Sequence, residues 1–458
     1  MTKKAKIHCI GIGGIGLNGI AQILFDKGFE VSGSDIEDSP IIEEMRQKGI
    51  KIFIGHDENL ITKKLTKVIY TSAIPEDNVE LKKAKKLKIP LITFSQAVKE
   101  VADDLYTIAI CGTHGKTTIT AFCTLTLLAG EKDPTVIVGS RLKELNNASY
   151  RTGMGKYFVV EACEYKRNFL NYSPDIIIMS NVEADHMDYF KDLEDYKSAY
   201  KEFIAKLPED GFLITNSDDK NTKDIIKDFK GNLILFSEKD TNCDWFLKDN
   251  EIFKNGQKIC NIELAVPGQF NKLNALCAII LGQILNIDRQ AILEKFKLYK
   301  GAWRRFEEIG DFMGMKIVSD YAHHPTAISK TIDAAREKFP DKKLCVIYQP
   351  HQYNRTKHFL NEFAESLRKA DTIIIPSIYK VRDRKEDTES VSAEDLVNAI
   401  SQKGGDVHFI TDYQDIREFL LQQRAHIDVV FVMGAGDIWT LSEYLMNNPD
   451  FNCTVCED

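Results

Sequence analysis

This 458-residue chain has no apolar run approaching the roughly 20 residues of a membrane span. It also lacks an excess of positive charge. Sixty Lys and Arg face 68 Asp and Glu, a formal net charge of −8, so bulk electrostatics offers nothing to nucleic acid or an anionic lipid surface. No repeat of fixed short period is present, and 12 prolines and 27 glycines do not make a collagen-like or low-complexity chain. Ten cysteines are sparse for a disulfide scaffold. Cys9, Cys111, Cys123, Cys163, Cys260, Cys277 and Cys345 mostly sit in apolar runs and read as small buried hydrophobes of a reducing compartment. Cys453 and Cys456 form a Cys-x-x-Cys with no second pair to complete a zinc site. Lys3, Lys4 and Lys6 lead into a short strand, not a secretory apolar core. These absences predict a cytoplasmic protein that works on small molecules, with no nucleic-acid or membrane partner.

What is there is a globular composition, 43% hydrophobic and 28% charged. At roughly 150 residues per domain the length suits about three domains. Three segments each open on a strand and then alternate strand and helix patterns, which predicts an α/β protein. Residues 1–104 start with Lys6–Ile12 and continue through Phe29–Gly33, Val68–Tyr70 and Pro90–Thr93. Residues 105–302 start with Leu105–Ile110; their strands Phe158–Val160, Ile176–Met179 and Gly211–Ile214 are near-continuous apolar runs, as a parallel sheet covered on both faces requires. Within this segment, 232–265 reads as short strands, with a hairpin at Asn255-Gly256. Residues 303–458 carry strands at Lys316–Val318, Leu344–Tyr348, Thr372–Ile375, Val407–Ile410 and Val429–Met433.

The sharpest motif is Gly112-Thr113-His114-Gly115-Lys116-Thr117-Thr118, between a strand and a helix pattern. Its glycines let backbone N–H groups approach phosphate oxygens, and the helix N-terminus adds a favourable dipole. Lys116 can reach the β and γ phosphates, and the Thr117 hydroxyl can hold Mg²⁺. The full P-loop pattern wants glycine where this chain has Ile110. A second glycine turn, Gly11-Ile12-Gly13-Gly14-Ile15-Gly16, has the G-x-G-x-x-G form, with Asp35 at the end of the next strand; it reads as a phosphate-binding turn or as a tight strand–helix turn with no ligand. NAD is one ligand for such a turn; another nucleotide diphosphate would use the same backbone donors. Two phosphate turns suit an ATP-using enzyme that also grips a nucleotide-linked substrate, because hydride transfer has no need of Lys116 and Thr117.

Acidic and basic groups cluster at strand ends, where open α/β sheets bind ligands. Glu161, in Glu161-Ala162-Cys163-Glu164-Tyr165, is placed to take Mg²⁺ beside the P-loop. Asn181–Asp188, with Glu183, Asp185 and His186, can approach the same phosphates or simply cap a helix. The third segment adds Arg304-Arg305-Phe306, Asp320–Thr326, Gln349–Thr356 and Gly434–Ile438.

Taken in this order, and with Ser32-Gly33-Ser34-Asp35 and Tyr70-Thr71-Ser72-Ala73-Ile74, these motifs resemble those of the Mur ligases over residues 6 to about 446. The resemblance implies a Rossmann-like N-terminal domain (1–104) for the UDP-sugar, a P-loop ATPase-like central domain (105–302) for ATP and metal, and a Rossmann-like C-terminal domain (303–458) that closes over ATP and the amino acid. The short P-loop without its first glycine is itself a family trait. The implied UDP-sugar contacts are Gly14, Ile15, Gly16, Asp35 and Ser72. The implied ATP contacts are Gly112, Thr113, His114, Gly115, Lys116, Thr117, Thr118, Asn271, Asn274, Arg305 and Asp320. Thr117 and Glu161 would hold one Mg²⁺ (or Mn²⁺) and His186 a second. His324, His351 and Arg355 would face the amino acid, and Lys116, His186, Glu161, His351 and Arg355 would carry the chemistry. Gln352 departs from the basic residue the family often has there. The carbamylated lysine of several family members falls on Tyr200, one residue before Lys201.

The activity so implied is ATP-dependent joining of L-alanine to the lactyl carboxylate of UDP-N-acetylmuramate through an acyl phosphate. The alternatives are the branch that recycles a ready-made tripeptide and cell-wall ligases with a different UDP-sugar. Cys163 favours the alanine-adding branch, since the recycling branch more often has Asp there. A monomer and a homodimer are both compatible with the sequence.

Overall fold

The computed structural model describes residues 5–71, 73–381 and 383–448. Among these, the three segments form three sheets. In the first, β1 (Lys6–Ile10), β2 (Glu30–Asp35), β3 (Lys51–Ile54), β4 (Lys67–Tyr70) and β5 (Leu91–Thr93) lie parallel in the order 3-2-1-4-5. The order reverses at β1, so the glycine-rich turn that follows it opens at the crevice where such sheets bind ligands.

The second sheet contains β6 (Tyr106–Cys111), β7 (Thr135–Leu142), β8 (Ala148–Arg151), β9 (Tyr157–Glu161), β10 (Ile176–Met179), β11 (Phe212–Asn216), β12 (Asn232–Ser237), β13 (Trp245–Lys248), β14 (Glu251–Lys254) and β15 (Gln257–Asn261). Its order is 15-14-13-12-11-10-6-9-7-8. The middle strands β12, β11, β10, β6, β9 and β7 run parallel. β6 and β10 are apolar and covered on both faces: Ile108, Ala109, Ile110 and Cys111, like Ile176–Met179, are fully buried. Both edges break the parallel rule. β8 folds back antiparallel on β7, and β13–β15 form a meander whose last turn, Asn255-Gly256, places both residues at positive φ, as the two-residue hairpin signal requires.

The third sheet joins β16 (Glu307–Phe312), β17 (Met315–Asp320), β18 (Leu344–Tyr348), β19 (Thr372–Ile375), β20 (Val407–Phe409) and β21 (Val429–Met433) in the order 16-17-21-18-19-20. Only β16 is antiparallel within it. Helices cover both faces of its apolar strands, producing two separate cores. The fold is thus the expected three-domain α/β architecture.

By contact density the chain divides into two compact units. One runs to Glu263 and resumes over Lys272–Tyr299; the other takes Leu264–Asn271 and the chain from Lys300 onward. The first two sheets therefore share a unit, and one apolar core reaches from Ile7 and Leu17 to Tyr196 and Leu213. Leu264–Asn271 joins the second unit because Phe270 packs into its core and the Gly268 N–H donates to Glu337 (3.2 Å). The described cysteines are all free thiols, mostly buried, with Cys163 exposed. Cys453 and Cys456 lie outside the described residues. Among the described residues no helix is long and apolar enough to cross a membrane.

Candidate functional site

The first phosphate turn is built on β1. Gly11 turns the chain at φ 79°, and its N–H and that of Ile12 donate to Ser34 O (2.8 and 3.1 Å), lashing the turn to the end of β2. Gly14 starts the helix Ile15–Asp26 with no side-chain cap, so its first-turn N–H groups carry no competing oxygen from a capping residue. Gly16 sits where a Cβ would come within 3.0 Å of Phe94, which lets the helix pack close. Asp35 accepts the Gly13 N–H (2.7 Å) and so orients the turn. Thus Gly14, Ile15, Gly16 and Asp35 are brought together; Ser72 lies outside the described residues.

The P-loop joins β6 to the helix Lys116–Ala129. Gly112 (φ 125°) and Gly115 (φ 84°) occupy conformations that L side chains rarely adopt. A Cβ on Gly112 would lie 2.2 Å from the Ser180 hydroxyl, and one on Gly115 2.7 Å from Asn274 Oδ1, so both positions need the bare backbone. Asn181 Oδ1 accepts the His114 N–H (3.0 Å), its amide donates to His114 O (3.2 Å), and the Ser180 hydroxyl donates to the same carbonyl (2.5 Å). The Glu183 N–H donates to Thr113 Oγ1 (2.9 Å). The segment 180–183 therefore braces the loop from the side.

The Lys116 ammonium folds back over the turn. It donates to Gly112 O (2.5 Å) and Thr113 O (3.3 Å) and lies 3.2 Å from the fully buried Glu164 carboxylate. Burial opposes its charge, but Glu164, with Glu161 and Asp185 beyond it, outweighs burial and holds the Lys116 pKa above the ordinary lysine value. The Thr117 hydroxyl donates to Glu161 Oε1 (3.1 Å), whose other oxygen accepts the Gly139 N–H (2.7 Å). Two hard oxygen donors thus converge at the start of the helix, a donor set suited to Mg²⁺. His186, at φ 56°, places Nε2 3.7 Å from Glu164 and 4.0 Å from Asp185, under the Tyr165 ring. It therefore joins the Lys116 side of the site through Glu164.

Glu164 was not among the sequence-derived site residues, yet it is the hub. It accepts from Tyr196 OH (3.0 Å), which also meets Thr113 Oγ1 (3.2 Å) and Tyr200 OH (3.1 Å). Its signal was present in the Glu161–Tyr165 motif; Tyr196, a helix residue spaced like any core aromatic, gave none. Tyr200 is fully buried, whereas Lys201 is half-exposed and points to Asp224 (3.9 Å). Lys201 is therefore not the missing lysine in register.

The second unit carries its own cluster. Asp320, at the end of β17, accepts the Phe306 and Ala322 N–H groups (both 2.7 Å), and burial raises its pKa. The Arg305 guanidinium lies over the Tyr321 ring (4.8 Å). Arg304 is buried, and burial lowers its pKa to about 10; it donates to Gly434 O and to Gly436 O (3.0 Å), which fixes the glycine turn after β21. His324 caps the helix Pro325–Lys338. His351 stacks on Tyr379 and lies 3.2 Å from an Arg355 nitrogen. Gln352 is held at φ 71°, its N–H donating to Tyr379 O (3.0 Å). Asn271 belongs to this unit and donates to Pro267 O (2.6 Å), while Asn274 belongs to the first, beside Gly115.

Comparison with known proteins adds three findings. Family signatures described as "Mur ligase family, catalytic domain", "Mur ligase middle domain" and "Mur ligase, glutamate ligase domain" match residues 6–106, 110–282 and 304–436. The UDP-N-acetylmuramate–L-alanine ligase of Caldanaerobacter subterraneus is 39% identical over 455 residues, covering 97% of each chain. Among solved structures, the UDP-N-acetylmuramate-alanine ligase of Thermotoga maritima superposes with a TM-score of 0.82 at 28% identity, covering 97% of this chain and 98% of that one. A murein peptide ligase from Psychrobacter arcticus shares the fold, with a TM-score of 0.73 at 23% identity over 98% of this chain and 99% of that one.

Proposed function

The chain belongs to the Mur ligase family, and on that premise we propose that it is the alanine-adding member: an ATP-dependent ligase that joins L-alanine to the lactyl carboxylate of UDP-N-acetylmuramate in peptidoglycan precursor synthesis. One observation carries the chemistry. Lys116, Thr117 and Glu161 come together at a glycine turn that opens a helix, so an ammonium and two oxygen donors stand beside the helix N-terminus that suits a polyphosphate.

A carboxylate is a poor acylating agent, so amide formation needs activation. The lactyl carboxylate attacks the ATP γ-phosphate, giving an acyl phosphate and ADP. The amine of L-alanine then attacks the acyl carbon, and the tetrahedral intermediate expels phosphate. Lys116 neutralises charge on the transferring phosphoryl, and the backbone N–H groups of 115–118 at the helix start hold the β and γ phosphates, while those of Thr113 and His114 brace the loop on Asn181. Thr117 and Glu161 would hold Mg²⁺ (or Mn²⁺), which supplies further neutralisation when bound; His186 would serve a second ion.

We assign Gly14, Ile15, Gly16 and Asp35 to the UDP-sugar. Asn271, Asn274, Arg305 and Asp320 go to the nucleotide, and His324, His351 and Arg355 to the amino-acid side. The functional domain borders lie near 104 and 302. The enzyme works in the cytoplasm, as a monomer or homodimer. The acyl phosphate is water-sensitive, so catalysis needs the site closed against solvent.

The test is phosphate release with ATP and UDP-N-acetylmuramate while the acceptor is varied. Stimulation by L-alanine is expected. Stimulation by the tripeptide and not by L-alanine would assign the recycling activity instead.

A further inference from the structure

The two phosphate turns are physically tied by one hairpin, β7–β8. At one end, the Gly139 N–H on β7 donates to Glu161 Oε2 (2.7 Å), and Glu161 Oε1 accepts from Thr117 (3.1 Å). A Cβ at position 139 would fall 2.8 Å from Glu161 Oε1, so the backbone approaches the carboxylate as closely as glycine permits. Two residues along, an Arg141 nitrogen lies 3.1 Å from each Glu44 oxygen, on the helix Pro40–Lys48 of the first sheet.

On β8 the ties reach the helix that begins at the first phosphate turn. Ser149 Oγ lies 3.2 Å from Ile15 O, in the first turn of that helix, and the same distance from Asn18 Oδ1. Tyr150 OH donates to Gln22 (2.9 Å) and accepts from Lys48 (2.6 Å), which in turn pairs with Asp26 (2.6 Å). Gly19 lets this helix approach β8, since a Cβ there would lie 3.2 Å from the Tyr150 Cβ. A cleft of about 390 Å³ opens beside the bridge, lined by Ile15, Asn18, Gln22, Arg141 and Glu144. These polar ties stand beside the shared apolar core, against which Tyr150 also packs.

We propose that the β7–β8 hairpin is a positioning element. Arg141, Ser149 and Tyr150 hold the helix of the first phosphate turn at a fixed distance from Glu161, so that the carboxylate of the nucleotide-linked substrate arrives in line with the transferring phosphoryl. The inference rests on the functional reading above. Among the described residues, the Arg141 and Tyr150 side chains bond only to Glu44, Gln22 and Lys48, none of which is assigned to either ligand, so each ligand alone still binds when those side chains are changed. What the bridge governs is their mutual placement, on which phosphoryl transfer depends steeply. The Arg141–Glu44 pair is partly exposed (21% and 56%), so its loss leaves the fold intact.

The experiment compares phosphate release by wild type, Arg141→Ala, Tyr150→Phe and the exchange variant Arg141→Glu/Glu44→Arg. Binding of UDP-N-acetylmuramate alone and of a non-hydrolysable ATP analogue alone is measured beside it. The two single variants are expected to lose about tenfold in kcat at saturating substrates, with each Kd within about twofold of wild type. The exchange variant is expected to recover most of the kcat lost by Arg141→Ala. Unchanged kcat in the single variants, a Kd that weakens as far as kcat falls, or an exchange variant no better than Arg141→Ala overturns the hairpin's role. A wild type that releases no phosphate with UDP-N-acetylmuramate and L-alanine overturns the functional reading instead.

Discussion

The Lys116 ammonium lies 3.2 Å from a Glu164 carboxylate that has no exposure to solvent. The lysine is thus parked on a buried counter-ion and two loop carbonyls, and an arriving phosphate must draw it forward. Without the ammonium, the charge of the transferring phosphoryl would be left to Mg²⁺ and the backbone N–H groups alone. Lys116→Ala is expected to cut phosphate release by about 10³-fold, while calorimetry is expected to find UDP-N-acetylmuramate binding unchanged, because we assign that ligand to the separate turn after β1. Loss of both would contradict the two-site arrangement.

Much of this was legible in the sequence because glycine, lysine and acidic residues at strand ends have few structural reasons to coincide. The P-loop, Glu161 and the turn at Gly11–Gly16 were found that way, and the apolar runs at Ile108–Cys111 and Ile176–Met179 gave the buried strands. What escaped notice works through shape or distance. Tyr196 spaces like a core aromatic and reveals its role only when Glu164 and Thr113 are seen against its hydroxyl. The hairpin Thr135–Arg151 has no motif, since its function is to span two elements far apart in sequence. Leu264–Asn271 reads as the lead-in to a helix of the central segment, yet packs with the second unit through Phe270.

The Thr117 hydroxyl lies 3.1 Å from Glu161, the partner we propose for it in holding Mg²⁺. Replacing it with valine keeps the shape but removes one oxygen donor and frees Glu161 Oε1. Thr117→Val is expected to raise the Mg²⁺ concentration needed for half-maximal turnover by about tenfold or more. A Mg²⁺ titration of phosphate release reads this directly; an unchanged titration would remove Thr117 from the metal site.

Acid should loosen the first sheet through Glu80. This carboxylate has no exposure and accepts from His8 (3.0 Å), Ser34 (2.9 Å) and the Asp57 N–H (3.1 Å). Burial works to raise its pKa, but the His8 hydrogen bond and charge, with Ser34 and Asp57, more than offset that and leave it below the ordinary glutamate value. A depressed folded-state pKa means that the unfolded chain takes up the proton first. The stabilisation is therefore present above the unfolded value of about 4.3 and is lost as pH falls through the folded one. Unfolding midpoints in urea should drop over that acid window, and Glu80→Gln should flatten the drop. A variant as acid-sensitive as wild type would exclude Glu80 as its source.

The helix Leu193–Ile204 offers the sharpest contrast between neighbouring residues. Tyr200 is buried and bonded to Tyr196, which serves Glu164; Lys201 is half-exposed beside Asp224. Removing the Tyr196 hydroxyl leaves a buried carboxylate oxygen and the Tyr200 hydroxyl each short of a partner. Tyr196→Phe should therefore cost about 1–3 kcal/mol of stability and lower turnover by letting Glu164 shift against Lys116. Lys201→Ala removes only a loose surface pair and should change stability by less than about 0.5 kcal/mol. Its turnover should match wild type, with no response to added bicarbonate in either protein. A Lys201→Ala variant that is inactive, or activity that rises with bicarbonate, would place a carbamylated lysine back in the site and refute the assignment of Tyr200 to that position.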